Sequence, residues 1–281
     1  MAKPSSPKAT ILEYGLKPKK SFGQNFMMDD NVNAIFAKAV SSFGLDLTVV
    51  EIGAGTGSLT KHLLTVARHV HAVERDRDLV PILRTQFADE LAVSKLFLHE
   101  ADGARFDLAT VLNVNYPGIL VGNLPYHLTS SIVILALRNR SLLKGAVFLV
   151  QKEVADRLLA SPNNKQYGFL TVILKLAFTI SRVALVDKSA FWPVPKVNST
   201  IVKMATIENG LSEVSDLDQF FIFVREIFQK RRKKLSTILQ GKLTKDDFIA
   251  LAIDPNLRPE NLEPHQFLAL YRLVCSFLAK G

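Results

Sequence analysis

The sequence predicts an α/β protein with a doubly wound, mostly parallel sheet, followed by a small α-helical domain. Two observations lead to this fold class. Up to about residue 206, short apolar runs typical of strands alternate with amphipathic stretches typical of helices, and such alternation implies right-handed crossovers between parallel strands. After that point the strand-like runs stop and the apolar period becomes helical.

The elements of the first part follow one another in a regular order. Residues 1–28 are polar, basic and contain prolines, which predicts an arm or lid. "DDNVNAIFAKAV" predicts a helix with Val32, Ile35, Phe36 and Ala39 on its apolar face. Strands and helices are then predicted alternately in "LTVVEIG", "SLTKHLLTVARHV", "HVHAVERD", "LVPILRTQFA", "KLFLHEAD", "GILVGN", "SSIVILALRN" and "AVFLVQKE", except that the third and fourth strands follow each other directly. The runs "AFTISRVALV" and "KVNSTIVKM" predict an antiparallel hairpin at one edge of the sheet.

The second part is predicted to consist of helices only. They lie in "DLDQFFIFVREIFQKRRKKLSTIL", "TKDDFIALA" and "EPHQFLALYRLVCSFLA". Thr244 and Asp247 have the spacing of a capping box, and Pro264 suits the first turn of a helix. We therefore expect a first domain over residues 1–206 and an α-helical domain over residues 207–281.

Composition narrows the class of protein. Of 281 residues, 48% are hydrophobic and 22% charged, as in an ordinary folded globule. No apolar run reaches the ~18 residues of a membrane span, and the N-terminus has no secretory signal, so a cytoplasmic protein is expected. The single cysteine, Cys275, is expected to be a buried thiol. No metal site is expected, because the histidines and the cysteine lack ligand spacing.

The net charge of +9 favours a polyanionic partner. It is concentrated in "QKRRKK" near the start of the helical domain and in "LKPKKS" near the N-terminus. Nucleic-acid phosphates are the predicted partners of Lys17, Lys19 and Lys20 in the second run. The first run supplies the main predicted RNA-binding set: Lys230, Arg231, Arg232, Lys233 and Lys234.

Three successive strands carry features of a cofactor site at their carboxyl ends, where ligands bind in this fold class. "EIGAGTGSLT" follows the first strand, and its glycines allow a ligand to approach the backbone. A dinucleotide fingerprint would need glycine at Ser58; the spacing instead resembles the first motif of S-adenosylmethionine-dependent methyltransferases. Glu74 ends the second strand, where an acid can accept from ribose hydroxyls, and Asp102 ends the third, where a carboxylate can accept from an adenine amino group.

The fourth strand ends in "NLPY", which resembles the [N/D/S]-P-P-[Y/F] motif of methyltransferases that modify exocyclic amino groups. An adenine N6 lone pair is conjugated into the ring and is a poor nucleophile. The Asn123 amide oxygen and the Leu124 carbonyl could each accept one N6 hydrogen, which localises the lone pair. Pro125 stiffens the loop, and Tyr126 offers a stacking face. Phe191 in "FWPVPKVNS" is a candidate for the opposite side of the base.

The whole chain resembles the bacterial ribosomal RNA adenine dimethyltransferases, the small-subunit family whose loss gives kasugamycin resistance. The resemblance is carried, in order, by "KKSFGQNFMMDD", "EIGAGTGSLT", "VERD", "EADGARFD", "NLPYHLTSSI", "FWPVPKVNST", "FQKRRKKL" and "IDPNLRPENL". It implies a Rossmann-like methyltransferase fold. It also implies that S-adenosylmethionine methylates two adjacent adenines near the 3′ end of the small-subunit rRNA, with a checkpoint role in subunit assembly.

The same resemblance implies the residues of the site. The implied cofactor contacts are Asn25, Met27, Gly53, Glu74, Asp102 and Asn123. The implied target-base contacts are Asn123, Leu124, Tyr126 and Phe191. The family commonly has leucine at Met27 and proline at Ala54; neither departure affects the chemistry. The expected partner is small-subunit rRNA or an immature 30S particle, bound by a monomer with no membrane partner.

Three other functions share part of this pattern. A large-subunit rRNA methyltransferase of the macrolide-resistance type has the same sheet and tetrad, but "FWPVPKVNS" and "DPNLRPEN" favour the small-subunit enzyme. A non-catalytic RNA-binding assembly factor would not need Glu74, Asp102 and Asn123 together. The third is methylation of adenine in DNA.

Overall fold

The computed structural model describes residues 6–212 and 214–278. The chain divides into two compact units, residues 1–155 with 180–206 and residues 156–179 with 207–281. The sequence predicts one boundary near residue 206, but the segment 156–179 belongs to the second unit instead. The physical reason is its helix Phe169–Ala177, which packs against helices Leu217–Gln229 and Pro264–Leu278.

Apart from the short β1 and β8, which were not predicted, the strands of the described residues follow the predicted order. They are β1 Phe26–Met27, β2 Thr48–Ile52, β3 His69–Glu74, β4 Leu96–Glu100, β5 Gly118–Asn123, β6 Leu143–Gln151, β7 Phe178–Val186, β8 Phe191–Trp192 and β9 Ser199–Thr206. The main sheet has the order β4-β3-β2-β5-β6-β9-β7. Strands β2 to β6 pair in parallel, and β9 pairs antiparallel with β6. The predicted fold class is therefore confirmed.

The described residues also form twelve α-helices. They are α1 Pro7–Glu13, α2 Asp30–Ser41, α3 Ser58–Val66, α4 Val80–Gln86, α5 Ala88–Ala92, α6 Thr129–Arg138, α7 Lys152–Leu159, α8 Phe169–Ala177, α9 Leu217–Gln229, α10 Leu235–Ile238, α11 Lys245–Ala250 and α12 Pro264–Leu278. No element was predicted for α7 and α8. Helix α8 has only two polar side chains, Thr171 and Lys175, in a short apolar run, and periodicity alone does not separate such a run from a strand.

The core of the first unit lies on both faces of the parallel strands. Val49, Val70 and Ile119 are fully buried, in keeping with strands covered on both sides. Helix α2 buries Phe36 and Val40 against this core. Ile35 was predicted on the same face but is 40% exposed, because the buried stripe of α2 is rotated away from it, toward Asn33 and Ala37.

The N-terminal segment, which was predicted to be an arm or lid, packs against the first unit over its described residues, from residue 6 onward. Ile11 of α1 is 1% exposed and packs in a small core with Phe26, Leu79 and Ile82. Strand β1 pairs antiparallel with β8, which places Met27 opposite Phe191. Apolar burial thus holds a segment whose composition suggested a free arm.

The basic run of the second unit is not helical, contrary to the prediction. Helix α9 ends at Gln229, and Lys230 to Lys234 form a turn before α10. Continuing the helix would stack like charges four residues apart. The turn also lets the buried Leu235 donate its N–H to the Leu257 carbonyl at 2.9 Å.

Two further predictions for the second unit are confirmed, and one is only partly correct. The capping box of Thr244 and Asp247 is confirmed, and α12 begins at Pro264 as predicted. Cys275 is half-buried rather than fully buried. No helix of the described residues is long and apolar enough to cross a membrane.

We expect Gly57→Ala to destabilise the protein by about 2–4 kcal/mol, from backbone strain and overpacking together. Gly57 has φ of +79°, and an added Cβ would lie 2.4 Å from the ring of the buried Phe87. Gly15→Ala is the control, because Gly15 has φ of +66° with open space around it. It should lose only about 1 kcal/mol of backbone strain. Denaturant unfolding measures both, and equal losses would contradict the overpacking.

Candidate active site

Four adjacent parallel strands end at one crevice of the first unit. The carboxyl ends of β4, β3, β2 and β5 bring Asp102, Glu74, Gly53 and Asn123 to its wall. The glycine-rich turn connects β2 to α3, and the Gly53 N–H donates to the Val73 carbonyl at 2.8 Å. Sequence reasoning had placed these residues at one sheet edge, and the structure brings them together there.

The Glu74 carboxylate accepts hydrogen bonds from the backbone of two neighbouring loops. Its Oε2 accepts the Gly55 N–H and its Oε1 accepts the Asp76 N–H, each at 2.7 Å. The side chain is buried, and burial raises its pKa although the backbone hydrogen bonds oppose that change. Each carboxylate oxygen retains a second lone pair, so Glu74 can still accept from a hydroxyl in the crevice.

Asp102 is the more open of the two carboxylates. Its side chain is 32% exposed, and its Oδ2 lies 3.4 Å from a guanidinium nitrogen of Arg75. Its Oδ1 accepts the Ala104 N–H at 3.0 Å, which fixes the turn after β4. An exposed acceptor at this edge is suited to an amino group of a flat ligand.

The orientation of the Asn123 amide follows from its partner. Its Nδ2 donates to the Asn25 carbonyl at 3.3 Å. The amide nitrogen is thereby directed at the N-terminal segment, and Oδ1 is the acceptor that remains for a ligand. The side-chain nitrogen of Asn25 donates separately to the Gly23 carbonyl at 3.2 Å, so Asn25 is itself held within the N-terminal segment.

The two predicted ring positions differ in their surroundings. Tyr126 lines the crevice, and its hydroxyl lies 3.2 Å from Oγ of the buried Ser199. Phe191 also lines the crevice but is 2% exposed and belongs to the main core. The neighbouring Trp192 stacks on Phe26 with ring centroids 6.4 Å apart.

Of the other predicted site residues, Asn25, Met27 and Leu124 also line the crevice.

The basic run lies in the second unit. Lys230, Arg232, Lys233 and Lys234 are exposed. Arg231 is not available in the same way, because its guanidinium pairs with the Glu260 carboxylate. Lys19 of the N-terminal run is likewise paired, with Asp76 and Asp78. No group of three or more metal-ligating side chains occurs in the described residues.

Sequence reasoning missed several residues of the crevice wall. Glu51 is fully buried beneath the glycine-rich turn, and its Oε2 accepts from the Thr60 hydroxyl at 2.6 Å. The Thr56 hydroxyl is buried without a hydrogen-bond partner. Gln24 and His127 complete this group. Glu51 stands at the start of the glycine motif, and an acid within an apolar strand was the signal that would have found it.

We expect Glu51 to make stability depend on pH. Burial raises its pKa to about 7 from 4.5, a shift that the Thr60 hydrogen bond opposes and the Glu74 charge reinforces. Between these values the folded state binds a proton that the unfolded state lacks, so stability falls as the pH rises, by up to about 3 kcal/mol. Glu51→Gln should therefore be more stable than the wild type at about pH 8.

The measurement is the free energy of unfolding of both proteins without ligand at about pH 5 and about pH 8. At the lower pH the two should be similar, since Glu51 is then largely protonated in the folded state. A difference between them that is independent of pH would contradict the assignment.

The chain matches the family model described as "Ribosomal RNA adenine dimethylase" over residues 15–275. The chain belongs to this family. Members of the family transfer methyl groups from S-adenosylmethionine, which is therefore the methyl donor of this chain.

Relatives of the family cover nearly the whole chain. It is 38% identical over 253 residues to "Ribosomal RNA small subunit methyltransferase A" of Chromobacterium violaceum, covering 90% of this chain and 94% of the relative. It is 37% identical to the protein of the same name from Nitrosospira multiformis, covering 90% and 95%.

Among solved structures, a dimethyladenosine transferase from Plasmodium falciparum aligns with a TM-score of 0.76 at 26% identity, covering 91% of this chain and 98% of that one. The 23S rRNA methyltransferase ErmE aligns with a TM-score of 0.69, also at 26% identity, covering 89% and 99%.

Proposed function

We propose that this ribosomal RNA adenine dimethylase transfers methyl groups from S-adenosylmethionine to N6 of two adjacent adenines in the 3′-terminal hairpin of small-subunit rRNA. The partner in this proposal is small-subunit rRNA or an immature 30S particle, and the enzyme acts as a monomer in the cytoplasm. The observation that carries the proposal is the Asn123 amide, whose nitrogen is occupied by Asn25 and whose oxygen remains as an acceptor beside the cofactor edge.

The crevice fits the cofactor by the chemistry of its wall. Gly53 has no atom within 4 Å of an added Cβ, which leaves room at the turn. The unpartnered Thr56 hydroxyl is a buried polar group that a ligand can satisfy. Glu74 would accept from ribose hydroxyls and Asp102 from the adenine amino group, while Asn25 and Met27 would cover the cofactor from the N-terminal side. When bound, the cofactor supplies an electrophilic methyl group.

The residues of the NLPY turn would prepare the target amine. Asn123 Oδ1 and the Leu124 carbonyl accept the two N6 hydrogens. They thereby hold the nitrogen lone pair toward the methyl group of a cofactor bound at the ends of β2, β3 and β4. The Tyr126 ring, fixed by the Ser199 hydroxyl, stacks on the base. Phe191 would form the opposite wall, and its burial favours an edge contact over a full stacking face. The target base must leave its stack, which is easiest in a hairpin loop.

The test is methylation by the purified protein of three substrates: immature small subunits that lack the dimethyladenosines, large-subunit rRNA and duplex DNA. Mass spectrometry should find dimethyladenosine at two adjacent positions of the small-subunit rRNA only. Methylation of large-subunit rRNA would support the macrolide-resistance type, with which the chain shares the ErmE fold. Cofactor binding without methylated product would support a non-catalytic assembly factor. Methylation of duplex DNA would show that DNA, and not rRNA, is the substrate.

A further inference from the structure

A buried carboxylate stands beside the crevice without belonging to its wall. The Asp76 side chain is 3% exposed and has three donors. Lys19 Nζ bonds to Oδ1, the Gln24 side-chain amide donates to Oδ2 at 2.7 Å, and the Asp78 N–H donates to Oδ1 at 3.1 Å. A charge buried this deeply is tolerated only while such partners remain.

Two of these donors come from the N-terminal part of the chain: Gln24 lies in the covering segment, residues 22–27, and Lys19 lies just before it. Residues 22–27 line the crevice, and Lys19 and Gln24 fasten the start of this segment to Asp76. The Lys19 N–H also donates to the Gln24 side-chain oxygen at 2.8 Å, and Lys19 Nζ reaches Asp78 at 2.6 Å. The polar contacts of Lys19 and Gln24 therefore hold the start of the covering segment in place.

The backbone of Asp76 is hydrogen-bonded to Glu74, which belongs to the crevice wall. The Asp76 N–H donates to Glu74 Oε1, and Glu74 Oε2 accepts from Gly55. Phe22 is the first residue of the covering segment, and its ring centroid lies 5.5 Å from the Lys19 ammonium and 5.2 Å from the Arg75 guanidinium. Asp76 thus links the covering segment to the strand end that carries Glu74.

The protonation states agree with an ion pair. The hydrogen bonds that Lys19 donates to the two aspartates raise the pKa of Lys19. Burial alone would raise the pKa of Asp76, but the bonds from Lys19, Asp78 and Gln24 outweigh it and lower that pKa. Both groups are therefore charged at neutral pH.

We propose that Asp76, Lys19 and Gln24 form a latch that holds residues 22–27 over the cofactor crevice and sets the rate at which the spent cofactor leaves. In this arrangement Asp76 is a positioning residue, because it acts through the covering segment. Ordering six residues over the crevice costs conformational entropy, which these charge-assisted bonds offset. The proposal rests on the cofactor site proposed above.

The experiment measures dissociation of S-adenosylhomocysteine from the full-length protein by stopped flow. Lys19→Met and Asp76→Asn should each speed release about tenfold, since each weakens a charge-assisted bond. The double variant should be little faster than either single one, because both changes open the same latch. Lys19→Arg should restore most of the slow release. Lys38→Met, which removes an exposed lysine of α2, should match the wild type.

Two further readouts separate a latch from general loosening. Hydrogen exchange should increase at residues 22–27 while β2 and β3 stay protected, and KM for S-adenosylmethionine should rise without a fall in kcat. Unchanged release in Lys19→Met, or release that increases only in proportion to a global loss of stability, would overturn the latch. If the wild type does not bind S-adenosylhomocysteine at all, the proposed function fails instead.

Discussion

Replacing Asn123 by alanine is expected to lower kcat by about 10²- to 10³-fold, while the affinity for S-adenosylmethionine changes far less. The substitution removes a preorganised acceptor for the N6 hydrogens, and losing one such hydrogen-bonding group at a reacting centre has an effect of this size. The amide is preorganised because its nitrogen donates to the Asn25 carbonyl, which fixes the direction of Oδ1. Single-turnover methylation and a direct cofactor-binding assay measure the two quantities.

Two further variants sharpen this test. Asn123→Asp keeps an acceptor but sets an oxygen against the Asn25 carbonyl, so its activity should lie between those of the wild type and the alanine variant. Asn115→Ala changes an exposed loop residue and should leave kcat unchanged. Turnover of Asn123→Ala close to the wild type would show that the amide does not act on the amine. A parallel loss of turnover and cofactor affinity would show that it mainly holds the cofactor.

Replacing Lys230, Arg232 and Lys233 by glutamine is expected to weaken rRNA binding about a hundred-fold in low salt, because each lost phosphate contact releases about one fewer counterion. The slope of log K against log salt should become shallower by about 2 to 3. These residues are exposed in the turn between α9 and α10. Arg231 is left in place because its pairing with Glu260 supports the fold of the second unit.

The control removes the same number of charges elsewhere in the second unit. Arg225, Lys242 and Lys245 are exposed, and their replacement by glutamine gives a protein of equal net charge. If rRNA binding responded to net charge alone, both triple variants would lose affinity to the same extent. An unchanged salt slope in the first variant would mean that the turn does not contact RNA phosphates.

Much of the site was predictable because it depends on local order along the chain. Parallel strands end at one edge of a sheet, so a glycine turn, Glu74, Asp102 and Asn123 at successive strand ends had to converge. The direction of the Asn123 amide was not predictable. It depends on Asn25, which is 98 residues away in sequence and reaches Asn123 only through the docked N-terminal segment.

The unpredicted features share a cause. Lys19 looked like a free cation, yet its partner Asp76 lies 57 residues further along the chain. Arg231 looked like part of a uniform basic helix, yet it pairs with Glu260 and the helix stops before it. Helix α8 lies in a short, mostly apolar run, and the periodicity of such a run does not by itself separate a helix from a strand.

By itself, the sequence determined the order of strands and helices, the convergence of the strand ends and the residue types of the methyl-transfer site. These depend on periodicity and on chain order, which are local properties. Only the tertiary structure decided which charges are free, which way an amide points and what covers the crevice. Those outcomes depend on pairings between residues far apart in the chain, and no local pattern encodes them.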